Sequence, residues 1–137
     1  MFRMSALWFL VVGLSTFVFS AAAAQVETFE TGKTPLAEIH VATTGSDTVG
    51  NGTPGSPYAS IGRAVQDAAP GTAIRVSPGT YAGGTFVESL SGTAANPIWI
   101  GGVPGQAKPI IDGADTGLHF SEVRYLVLHD LVAVSYT

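Results

Sequence analysis

Short apolar runs, each closed by glycine, proline, asparagine or serine, recur along this chain. Ala73-Ile74-Arg75-Val76 lies between Pro70-Gly71 and Pro78-Gly79 and reads as a strand of about four residues bounded by turn chemistry. Similar runs follow at Thr85 to Leu90, Ile98-Trp99-Ile100, Ile110-Ile111-Asp112, Leu118-His119-Phe120, Tyr125 to His129 and Leu131 to Val134. None is long enough to fold alone. Together they predict strands that bury their apolar side by stacking repeat upon repeat.

The spacing supports stacking. Ile74 to Ile98 is 24 residues, Val87 to Ile110 is 23 and Ile110 to Val132 is 22, each inside the span of about 20 to 45 that solenoid repeats occupy. Three short strands fit in each period, which predicts an all-β chain wound as a parallel β-helix. A β-sandwich, whose turns recur every ~8 to 12 residues, is the alternative architecture.

Upstream of these runs, Ile39-His40-Val41-Ala42 alternates as a first strand. Thr43 to Pro57, TTGSDTVGNGTPGSP, is a long polar loop, and loops of that length are usually functional or flexible. Asn51-Gly52-Thr53 within it matches both an N-glycosylation acceptor and an Asn-Gly turn. One helix is expected, over Ile61 to Ala68. There Ile61, Ala64, Val65 and Ala68 make a single apolar stripe, with Arg63, Gln66 and Asp67 facing out. Ser60 is one candidate cap and Ser56, followed by Pro57, the other, while Pro70-Gly71 ends the helix. Placed ahead of the repeated strands, this helix is expected to cap the open end of the first coil.

The first segment belongs to targeting. Arg3, an apolar run from Ala6 to Phe19 and small residues from Ser20 to Ala24 predict a signal peptide over 1–24. An apolar stretch approaching ~18 residues also allows a membrane anchor. The A-x-A junction and the lack of a basic stop-transfer flank favour cleavage. The expected location is therefore secreted, periplasmic or at the cell surface, with no membrane attachment once the signal is removed. Residues 25–38 read as a leader or linker, and 39–137 as the cap and first coils. Because LVAVSYT stops within a strand after about two coils, and stable arrays generally take three or more repeats, the sequence is expected to be the front of a longer protein, truncated at its C-terminus.

Composition narrows the partners. At 137 residues, 46% of them apolar and 17 of them glycine, the chain suits one domain of short buried strands joined by tight turns. With charged residues at 12% and a formal charge of −4, there is no basic stripe to track a phosphate backbone, so nucleic acid is not an expected partner. The absence of cysteine rules out disulfides and thiolate metal sites.

The succession HVATTGSD, GNGTPGSPYASIGRAV, PGTAIRVSPGTY and LSGTAANPIWIGGVPGQAKPIIDG resembles the N-terminal region of secreted proteins of the pectate-lyase-like superfamily, across about Glu38 to Val134. The resemblance implies the first coils of a right-handed parallel β-helix with an N-terminal capping α-helix. It also implies action on acidic polysaccharide, as a polysaccharide lyase that cleaves pectate- or alginate-like uronans by β-elimination when complete. A non-catalytic carbohydrate-binding or surface-adhesion β-helix protein is the alternative, since this fold hosts both.

Lyases of this superfamily use a cation, often Ca2+, against the sugar carboxylate, and a lysine or arginine base for the ring proton. Asp112, Asp115 and Asp130 are then the candidate metal ligands, with Asp47 in the polar loop, and Lys108 and Arg124 the candidate bases. The same residues also read as an Asp-Gly turn, loop carboxylates and solvated cations, and calcium gathers about six or more oxygens. The Asn-Thr-Asp, Asp-Asp and Gly-His-Gly motifs of polygalacturonase-like members do not occur. His40, His119 and His129, set in alternating segments, read as strand histidines; Tyr58, Tyr81, Trp99, Phe120 and Tyr125 are candidate sugar-stacking faces. Two coils offer a short groove for holding cation, base and sugar together, so this chain by itself is expected to lack lyase activity.

Overall fold

The computed structural model describes residues 32–113 and 115–134. The predicted signal peptide, and the leader as far as residue 31, lie outside the described residues.

Among the described residues, nine strands and one α-helix run in the order β1 (Ala37–Val41), α1 (Ile61–Gln66), β2 (Thr72–Val76), β3 (Thr80–Ala82), β4 (Thr85–Glu88), β5 (Ile98–Gly102), β6 (Ile110–Asp112), β7 (Leu118–Ser121), β8 (Leu126–His129) and β9 (Val132–Val134). They form three sheets, ordered β1-β2-β5-β8 (sheet A), β3-β6-β9 (sheet B) and β4-β7 (sheet C). Every pairing between named strands is parallel. From β2 onward the chain passes through A, B and C, then A, B and C again, then A and B. The fold is all-β in its sheets, and its parallel pairing excludes the antiparallel sandwich among the described residues.

Register explains which side chains face in. Ile74 lies opposite Ile39 and Ile100, and Ile100 opposite Leu128; Tyr81 lies opposite Ile111, and Val87 opposite Phe120. Ile74, Val76, Tyr81, Val87, Ile98, Ile100 and Ile111 are buried in one core cluster between the three sheets. Tyr81 brings a polar end inside, and its hydroxyl donates to the Ser77 carbonyl at 2.8 Å, as a buried phenol requires. The repeat is longer than the apolar spacing suggests. Ile74 pairs with Ile100 rather than stacking on Ile98, and Val87 and Ile110 lie in different sheets. The 22-residue step from Ile110 to Val132 is a true register step.

The helix is shorter than its apolar stripe. Beyond Gln66 the Asp67 and Ala68 amides donate to Ala64 and Val65 at 3.3 Å, three residues back, so the last turn tightens before Pro70. Ser60, in extended conformation, is the cap: its Oγ accepts from the Arg63 amide at 3.1 Å, and Ser56 plays no such part. Ile61 and Ala64 join the core cluster, and α1 packs against β1, β2 and β4. Sheet A therefore begins with a strand, β1, while the unpaired edge of β4 is met by the helix.

Two helix residues expected to face solvent hold the preceding loop. Arg63 pairs with Asp67 at 2.9 Å and stacks 4.3 Å over the Tyr58 ring, while the Tyr58 hydroxyl donates to Asp67. The polar loop is built rather than loose. Asp47 Oδ1 accepts from the Ala59 and Ser60 amides at 2.8 and 3.0 Å, Asn51 Oδ1 accepts from Thr53 Oγ1 at 2.8 Å, and the His40 amide donates to the Gly52 carbonyl at 2.7 Å. Asp47 is thus a structural acceptor, and Asn51-Gly52 sits in a side-chain-closed turn. No helix among the described residues is long and apolar enough to cross a membrane.

Candidate functional site on the outer face of sheet A

Strand alternation that sends Ile74, Val76, Ile98 and Ile100 inward sends their neighbours outward. On the outer face of sheet A, parallel register lines up Glu38, Ala73, Trp99 and Val127 in one row and His40, Arg75, Gly101 and His129 in the next. Four strands thus carry a row of ionisable groups interrupted at Gly101.

Each group in the row is held. Arg75 is buried, 3% exposed, and donates from Nε and Nη2 to Glu38 Oε1 at 3.0 and 2.9 Å. The other oxygen of Glu38 lies 3.6 Å from His40 Nε2. At the far end, His129 Nδ1 stands 3.3 Å from Asp130 Oδ2, and Lys108 Nζ reaches the other oxygen of Asp130 at 3.4 Å. The His129 ring folds over Gly101, where a Cβ would lie 2.5 Å from it. Asp130 has its carboxyl held below the usual carboxylate range, chiefly by His129 and then by Lys108. Its backbone is in the left-handed region at φ 45, fixing the carboxylate at the corner where the chain leaves sheet A. Two buried donors, Arg75 Nη1 and Trp99 Nε1, have no acceptor among the described residues.

The residues singled out from sequence go to different corners. Lys108 and Asp130 meet at the corner between sheets A and B. Asp112 lies on β6, opposite Ala82 and Val134, and Asp115 in the connection from sheet B to sheet C. Arg124 stands at the return from sheet C to sheet A, paired through its backbone with Ser91. Among the described residues no three His, Asp or Glu side chains gather as a metal ion requires. Of the aromatic candidates, Tyr58, Tyr81 and Trp99 are buried, Phe120 is half-buried and Tyr125 is exposed. Sequence reasoning missed Glu38 and Arg75. Their signal was a charged residue inside each of two apolar strands, and reading it required the register.

No family model matches the chain, and no curated protein matches it. Solved structures do. The native GH136 lacto-N-biosidase from Eubacterium ramulus superposes with a TM-score of 0.63 at 19% identity, over 72% of this chain and 20% of its own. A rhamnogalacturonan lyase superposes with a TM-score of 0.60 at 21% identity, over 71% of this chain and 28% of its own. This chain therefore spans between about a fifth and three tenths of the length of these structures. What is shared at such identity is the fold, a β-rich architecture also used by carbohydrate-active enzymes.

Proposed function

We propose that this chain belongs to an exported right-handed parallel β-helix protein that binds acidic polysaccharide along the outer face of sheet A and acts on it by β-elimination. The observation that carries the reading is the row His40, Arg75, Gly101 and His129, in register on four parallel strands and closed by the Lys108–Asp130 pair. Three parallel sheets visited in the same order, and two solved neighbours whose names are those of a glycosidase and a lyase, support it.

The groups suit elimination better than hydrolysis. Hydrolysis takes two carboxylates about 5 to 10 Å apart across the scissile bond. Glu38 and Asp130 sit on or just after strands three spacings apart, which puts their backbones at least about 14 Å from each other. Elimination from a uronate needs positive charge against the sugar carboxylate and one base for the ring proton. Lys108, 57% exposed and set beside Asp130, is the cationic group at this corner that reaches solvent, and it suits the charge or, when deprotonated, the base. Arg75 acts as a positioning residue: it holds Glu38, which in turn faces His40.

Titration of the protein with oligogalacturonate, oligomeric alginate and a neutral glucan tests this reading, with ultraviolet absorbance of unsaturated sugars as the second readout. Acidic oligomers are expected to bind, and Lys108→Gln to weaken them and to remove any unsaturated product. Equal binding of the neutral glucan overturns the acidic-polymer reading. Binding without product is the outcome expected of this chain alone; binding without product by a longer form that carries further coils assigns the non-catalytic, carbohydrate-binding alternative.

A further inference from the structure

The corner where the chain returns from sheet C to sheet A carries features that the sheet A row does not use. An open groove of about 480 Å3 is lined there by Ser89, Ser91, Glu122, Val123 and Arg124. Its backbone is set by bonds between successive passes of the chain. The Ser89 amide donates to Ser121 at 3.0 Å, the Gly92 amide to Arg124 at 2.9 Å and the Arg124 amide to Leu90 at 3.0 Å. Ser89, Glu122 and Tyr125 all lie in the left-handed region, at φ 55, 55 and 50. Three non-glycine residues in that region at one corner need surroundings that fix them, and such positions concentrate at ligand sites.

The side chains define what the groove accepts. Ser89 Oγ lies 3.4 Å from Glu122 Oε2, which leaves the other Glu122 oxygen to accept from a ligand hydroxyl. Arg124 is exposed, and its guanidinium has no hydrogen-bond or ion-pair partner among the described residues, Glu122 included. A planar fork of donors with unmatched charge selects a carboxylate, which it can bind through two parallel hydrogen bonds. Tyr125, next in the chain, is 56% exposed and does not line the groove.

We propose that this corner groove is a second subsite, distinct from the sheet A face, that takes a single sugar acid: Arg124 binds its carboxylate, and Glu122 with Ser91 its hydroxyls. This rests on the acidic-polysaccharide reading for the kind of sugar, and on the groove alone for the place. Free galacturonate, with galactose as the neutral control, is titrated into the isotopically labelled protein while backbone amide resonances are followed. Saturable shifts are expected at Ser91, Glu122 and Arg124 with galacturonate and not with galactose. Arg124→Gln, which removes no contact within the described fold, is expected to weaken them about tenfold or more. Equal response to galactose, absence of saturable shifts at these amides, or an unchanged affinity in Arg124→Gln overturns the subsite. Shifts confined to His40, Lys108 and His129 also overturn it while sparing the sheet A reading. Shifts at the corner with none on sheet A do the opposite.

Discussion

His129 lays its imidazole across Gly101, in the space that a side chain on β5 would fill. A Cβ at Gly101 would meet the ring at 2.5 Å and the His129 carbonyl oxygen at 2.3 Å. The ring can swing away, but the carbonyl belongs to the neighbouring strand of a parallel ladder and cannot. Gly101→Ala is therefore expected to destabilise the fold by about 3 kcal/mol, at the upper end of overpacking costs. Urea unfolding measures this, and a loss below about 0.5 kcal/mol would contradict the packing.

Glu38 and Arg75 give an asymmetric pair. Removing the carboxylate strands a buried guanidinium, whereas replacing the guanidinium with an apolar chain of similar length leaves a carboxylate that is 43% exposed and can reach water. Glu38→Ala is expected to cost about 2 kcal/mol and Arg75→Met less than about 1 kcal/mol. Thermal or urea melts of the two variants should therefore rank Glu38→Ala as the weaker fold. The reverse order would show that Arg75 is held by something other than Glu38.

The two serines that both suit the helix start are separable by measurement. Ser60 Oγ accepts the Arg63 amide, so Ser60→Ala should cost about 1 kcal/mol, the usual value of an N-cap. Ser56→Ala should stay within about 0.5 kcal/mol. Equal effects would mean that the helix starts earlier than Ile61.

Acid should weaken the fold through carboxylates held below their ordinary value. Asp67 is lowered mainly by Arg63 and then by the Tyr58 hydroxyl, and Asp130 mainly by His129. Burial raises Asp47, but the Ser60 side chain and the Ala59 and Ser60 amides outweigh it. A carboxyl whose folded value is depressed contributes stability above its unfolded value, and that contribution is lost as pH falls through the folded one. Stability is thus expected to decline as pH drops below about 4, near the ordinary value of 3.8 for these groups. Asp67→Asn should flatten that decline while lowering stability at neutral pH. A decline just as steep in the variant would remove Asp67 from the account.

Much of the fold was legible because apolar residues and turn residues alternate so regularly. β2, β5 and β6 each carry β-branched residues between Gly or Pro signals, and their positions follow from the chain alone. β3 escaped notice because Thr80-Tyr81-Ala82 turns a single large side chain inward. The first strand begins two residues before its apolar signal at Ile39, because Ala37 and Glu38 carry no such signal although they pair with Thr72 and Ala73. The sheet A row was hidden for a different reason. It depends on Arg75, Gly101 and His129 being in register, with steps of 26 and 28 residues that no regular period predicts. Conversely, Asp112, Asp115 and Asp130 looked like a set in sequence, but the corners of the fold send them to separate edges.

The unequal steps have a meaning for how such a chain can change. Between sheets A and B the connecting segments are Ser77 to Gly79, Val103 to Pro109 and Asp130 to Leu131, that is three, seven and two residues, yet the strands they join stay in register. Length variation is absorbed at the corners and never reaches the inward rows. Insertions there are therefore transparent to the core, whereas a single residue added within β2 or β5 would exchange the inward and outward faces for the rest of that strand. The corners are thus the natural grafting points of this molecule, where new loops can be spliced in without refolding what lies beneath.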